Sequence, residues 1–132
     1  MIRVMLGVLV TLALCSPVAV AEPLSPEDAF AQRAPLQTCG RLRALPPTET
    51  KDIPYKYLDC MRRARAAGTG AELAAAVPTI FNDTVTAYYR VHASDRPVEI
   101  FVEDNDRRNN PGWEHYFCPI PDTELTWSAP DC

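Results

Sequence analysis

The chain has 132 residues, 13 of them basic and 17 acidic, for a net charge of −4. That balance argues against nucleic acid as a partner, which would call for a basic patch. There is no G-x-S-x-G, no H-E-x-x-H and no phosphate-binding loop in the sequence, so nothing in it calls for a cofactor.

Residues 1–21 read as a secretory signal peptide. Met1-Ile2-Arg3 is a short basic start, residues 4–14 are almost wholly apolar, and Ser16-Pro17 breaks the run. Ala19-Val20-Ala21 then supplies the small residues that a signal peptidase reads. A membrane span needs about 20 apolar residues. This run is shorter, and no later stretch approaches it, so no transmembrane segment is expected in the mature chain. A lipid anchor on Cys15 is the alternative, disfavoured by the bulky Leu14 before it. Cleavage after Ala21 makes Glu22 the N-terminus and leaves 111 of the 132 residues, the length of one small domain. The expected location is secreted or periplasmic.

Arg3 is the one charge removed, so the mature chain carries a net charge of −5. The charge is uneven: residues 80–132 hold four basic and ten acidic side chains, while residues 22–79 are near balance. An acidic C-terminal half can steer a cationic partner. Four of the five cysteines remain, Cys39, Cys60, Cys118 and Cys132, and in an exported chain they read as two disulfides. Pairing neighbours gives Cys39–Cys60 and Cys118–Cys132, each stabilising by about 3 kcal/mol. Neither His92 nor His115 stands at zinc-ligand spacing to a cysteine, so no metal site is expected.

In chain order, Ser25-Pro26-Glu27-Asp28 is a helix start, with a capping serine and two acids facing the positive end of the dipole. That helix should stop near Ala34, because Pro35 follows. A second short helical turn is expected within 36–45, around Cys39. A proline-rich linker, 46–53, comes next. The clearest helix is 54–67, where Tyr57, Leu58, Met61 and Ala64 form an apolar stripe and Gly68 ends it. Arg62, Arg63 and Arg65 suit its C-terminal end. Thr69-Gly70-Ala71-Glu72 has capping-box spacing and predicts a short helix closed by Pro78.

After Pro78 the period changes to two. Val85, Ala87, Tyr89 and Val91 alternate with Thr84, Thr86, Tyr88 and Arg90, and Val98, Ile100 and Val102 alternate with Glu99, Phe101 and Glu103. One hairpin register matches both faces: Tyr89 opposite Ile100, Ala87 opposite Val102, Arg90 opposite Glu99 and Tyr88 opposite Phe101. A polar turn over 104–112 leads to a third strand, 113–118, and 125–128 is a candidate fourth. The fold expected is α+β: two or three N-terminal helices packed on one face of a three- to four-stranded antiparallel meander, with two disulfides. The covered face should carry Val85, Tyr89, Val91, Val98, Ile100, Val102, Trp113 and Phe117.

The other face should then be open. Tyr88, Phe101 and Tyr116 would stand together there, ringed by Arg90, Glu99, Glu103 and Glu114, as aromatic anchors with a charged rim do in a protein-binding patch. Removing Tyr88 and Phe101 should spare folding. The plain alternative is that a loop or the C-terminal tail covers them.

Signals for catalysis are weaker. His92, Ser94 and Asp95 are too close in sequence for triad geometry, and His115 falls on the inward side of its strand. Glu103 and Glu114 would form a glycosidase-like carboxylate pair on the outer face. Glu103-Asp104-Asn105-Asp106 offers oxygen ligands for calcium, but it lacks the glycine and distal glutamate of an EF-hand, and Arg107-Arg108 opposes a cation. Asn82-Asp83-Thr84 matches a glycosylation sequon.

By elimination, the expected function is an exported small non-catalytic binding module. It would be an enzyme inhibitor or an envelope or extracellular interaction domain, acting on another protein, a cationic one by charge. The alternatives are a small secreted hydrolase using the outer-face carboxylates, and a secreted effector or structural protein with no small-molecule site.

Overall fold

The computed structural model describes residues 22–43, 53–79, 81–108 and 110–119. The signal segment, residues 46–52 of the linker, the 125–128 strand and Cys132 lie outside them, and with Cys132 the proposed Cys118–Cys132 bond. The elements are α1 (Pro26–Ala31), β1 (Gln37–Arg43), α2 (Tyr55–Ala66), β2 (Ala71–Pro78), β3 (Thr84–Val91), β4 (Val98–Asp104) and β5 (Gly112–Cys118). The strands form one mixed sheet in the order β1-β2-β3-β4-β5. Strand β1 runs parallel to β2, and the remaining pairs are antiparallel. The fold is therefore α+β, but the sheet has five strands, and the helices are interleaved rather than all N-terminal.

Helix α1 starts as its sequence dictates: the Ser25 hydroxyl accepts from the Asp28 amide at 3.1 Å, and Gln32 caps the other end. The helical turn expected around Cys39 is not formed. Residues 37–43 are strand β1, tied into the sheet by parallel pairing to β2. A parallel pair needs a crossover connection, and α2 is that crossover. The disulfide between Cys39 on β1 and Cys60 on α2 fastens the crossover helix to the edge strand. Such a bond is characteristic of an oxidising, extracytoplasmic compartment.

Residues 69–78 do not form the expected short helix either. Thr69 does not start a helix; it finishes α2, with its amide and hydroxyl both donating to the Ala64 carbonyl, at 3.1 and 3.3 Å. Gly70 then turns the chain with φ +72°, where an added Cβ would lie 2.9 Å from the Val91 carbonyl oxygen. The run Ala71–Pro78 is a strand held between β1 and β3. Its helix-forming alanines are outweighed by two flanking ladders and by close packing under α2.

The core on one side of the sheet joins Leu58, Met61 and Ala64 of α2 to Leu73, Ala75, Tyr89, Val91, Val98, Ile100 and Val102. The β3–β4 register is the one both faces require: Tyr89↔Ile100, Ala87↔Val102, Arg90↔Glu99 and Tyr88↔Phe101. The helices do not share a face. Helix α1 lies on the opposite side, where Phe30 packs with Ala74, Tyr88, Phe101 and Trp113 in a second, smaller core.

Strand β5 is in the opposite phase to the one expected. Ile100 pairs with Tyr116 and Val102 with Glu114, so Tyr116 and Glu114 belong to the α2 side. Trp113, His115 and Phe117 fall on the α1 side, beside Glu103, Phe101 and Glu99. Among the described residues no helix is long and apolar enough to cross a membrane.

Candidate functional site

The α1 face is built from the alternate residues of the strands that form the core. Its first row is Glu72, Arg90, Glu99 and Phe117, and its second is Ala74, Tyr88, Phe101 and His115. Each row crosses four strands, so three backbone ladders fix the geometry.

The first row is an ion network. Arg90 is only 3% exposed and donates from Nη1 to Glu99 Oε2 at 2.8 Å. Its Nη2 donates to the Ala34 carbonyl beyond α1. Its Nε stands 3.0 Å from Glu72 Oε2, an ion contact without hydrogen-bond alignment. Glu72 also accepts two bonds from Arg33, at 2.8 and 3.1 Å. On the far side, Nε2 of His92 and Nε2 of His115 reach the two oxygens of Glu99 at 3.0 and 3.1 Å. Because a carboxylate only accepts, both Nε2 atoms carry the proton in these contacts. Burial pushes the Glu99 carboxyl up, but the His92 bond, the charge of Arg90 and the His115 bond outweigh it and hold it below the ordinary range.

The second row is aromatic. The Phe30 ring centroid lies 4.5 Å from Tyr88, 5.3 Å from Phe101 and 4.5 Å from Trp113. His115 stacks on Phe101 at 4.0 Å, nearly parallel. Arg33 lies over Phe30 at 3.5 Å. Tyr88 reaches both Arg41 and Glu103 through its hydroxyl, each at 3.4 Å, and burial raises its pKa, with the Glu103 charge adding to the effect.

The face is thus not open at its centre: Phe101 is 1% exposed and Tyr88 9%. Helix α1 covers them, rather than a loop or the C-terminal tail. The exposed aromatic of this face is Phe117, at 59%. It borders an open groove of about 660 Å³ shared with the Ser94–Pro97 turn, Arg65 and Pro119. Arg65 steadies that turn by donating to the Arg96 carbonyl at 2.8 Å.

Of the predicted site residues, Tyr88, Phe101, Arg90, Glu99 and Glu103 are brought together on one face. Tyr116 is not; it bonds to Glu114 on the other side, and this bond, with burial adding to it, raises its pKa to about 12. Glu103 and Glu114 therefore stand on opposite faces and form no catalytic pair. In the acidic turn, Asp104 accepts from the Asp106 amide at 2.7 Å and Asp106 from the Arg108 amide at 3.0 Å, so both carboxylates serve the backbone. Among the described residues no cluster of His, Cys, Asp and Glu is arranged to hold a metal ion.

Sequence reasoning missed Arg33 and Glu72, and considered His92 and His115 without placing them on Glu99. The one signal for them was the Arg90–Glu99 cross-strand pair, a charged row that the neighbouring strands extend. No family model matches the chain, and neither a curated protein nor a solved structure matches it.

Proposed function

We propose that the protein is an exported, non-catalytic binding module that engages another protein through the α1 face of its sheet. The observation that carries this is Phe117. It is a large aromatic side chain held out by a β-strand, flanked by Pro97 and Pro119 and rimmed by Arg65, Asp95 and Arg96. An apolar anchor with a charged rim is the anatomy of a protein interface. Behind it, the Phe117 ring meets His115, which stacks on Phe101, and the Arg90–Glu99 network, with Glu103 at the far edge, fixes the strands of this face. The hydrolase alternative loses its carboxylates, since Glu103 and Glu114 do not converge.

The test is affinity capture by the mature protein from an extract of its own culture or envelope. Phe117→Ala is run beside Tyr55→Ala, which removes another exposed aromatic, 69% accessible, from the start of α2. A partner retained by wild type and Tyr55→Ala but lost by Phe117→Ala supports the reading. Capture that is the same for all three proteins contradicts it.

A further inference from the structure

Residues 22–36 run across the α1 face as a strap. Phe30 sits over β3, β4 and β5, Arg33 pairs with Glu72 on β2, and the Ala34 carbonyl takes a bond from Arg90 on β3. Leu36 then packs at Gly70, and β1 begins at the far edge of the sheet.

The strap is lightly held for what it covers. Helix α1 has six residues, none of them buried, and a helix this short has no stability of its own. Beneath it lie three aromatic rings, the Glu72 carboxylate and the Arg90 guanidinium, which a few contacts from Phe30, Arg33 and Ala34 cover. Segments with few buried contacts open at a small fraction of the global unfolding free energy. Opening alone would expose Tyr88, Phe101 and Trp113 to water, so it becomes favourable only as an exchange.

We infer that the strap is a displaceable internal ligand. The slot beneath it accepts a partner segment of the same chemistry: an aromatic side chain with an arginine three residues on. The aromatic replaces Phe30 among Tyr88, Phe101 and Trp113. The arginine replaces Arg33 on Glu72, and the following carbonyl meets Arg90. The inference rests on the binding reading given above and names the partner's recognition element: a cationic, aromatic turn.

Two measurements test it. The probe is a labelled synthetic peptide with the sequence of residues 22–36, added to the full mature chain. Wild type holds its own strap at high effective concentration and should bind the peptide weakly. The Phe30→Ala, Arg33→Ala double variant should bind it at least tenfold more tightly, and a peptide carrying the same two alanines should bind neither protein. A folded double variant that binds the peptide no better than wild type overturns the inference. The second measurement is hydrogen exchange on wild type, which does not depend on the variant folding. The Ala29, Gln32 and Arg33 amides should be protected at least a hundredfold less than the β3 amides. Equal protection means that the strap opens only on global unfolding, and it overturns the inference. If Phe117→Ala abolishes capture while the peptide never binds, the binding reading stands and the strap is ordinary packing.

Discussion

The two faces of the sheet use the same strands one residue out of phase, and they are opposite in kind. The α2 face is mostly aliphatic: Leu73, Ala75, Tyr89, Val91, Val98 and Ile100 are all fully buried, and a disulfide pins the covering helix. The α1 face alternates rings with charges, and its cover is a single helical turn and a half. Buried apolar area stabilises without direction. A half-buried ion network adds little net stability, because desolvation offsets attraction, but it is strongly selective for geometry. On the proposed reading, one face maintains the fold and the other serves recognition.

Substitutions on the α2 face should have the largest effect. Ile100→Ala, at a site with no exposure, should cost about 4 kcal/mol through cavity formation. Thermal unfolding measures this directly. Phe101→Ala is the counterpart across the sheet and should cost about 3 kcal/mol. Should it leave the melting temperature unchanged, the second core under Phe30 contributes nothing.

Replacing Cys39 and Cys60 by alanine reopens a loop of sequence separation 21 and should cost about 3 kcal/mol. Chemical denaturation of oxidised wild type and the double variant compares them. The loss belongs to the α2 face, so peptide binding by the strap-weakened protein should not depend on it.

Glu99→Gln should be milder, about 2 kcal/mol at neutral pH, since it removes the charge that Arg90, His92 and His115 face. The folded Glu99 carboxyl is held below its unfolded value of about 4.3. Its contribution is therefore full above that pH and is lost as pH falls through the folded value. The gap in melting temperature between wild type and variant should narrow as the pH falls below about 4. A gap that does not narrow there contradicts the network.

How much of this was legible follows from which interactions are local. Helix α2 and the β3–β4 hairpin were readable because a 3.6 period and a matched period of two were each complete within one segment. Strand β2 was not, since Ala71–Val77 carries helix-forming residues whose strand state is imposed by neighbours. In β1 the register shifts between Thr38 and Gly40, which breaks the alternation that would have marked it. For β5 the sequence tells which residues share a face, but not which face. That phase is set by Asp104 meeting Gly112 across the turn. The Arg90–Glu99 pair was visible, whereas Glu72 was hidden by the misread strand, and nothing local indicates that Phe30 covers Tyr88.

Phe117 offers the smallest effect on folding and the sharpest test of the contrast between faces. At 59% exposure, its replacement by alanine should change stability by no more than about 0.5 kcal/mol. The decisive measurement is the dissociation constant of the captured partner for wild type and Phe117→Ala, with melting temperatures recorded on the same samples. The account predicts at least a thirtyfold weaker complex, about 2 kcal/mol, at an unchanged melting temperature. An unchanged dissociation constant would contradict it and remove the α1 face as the site of recognition.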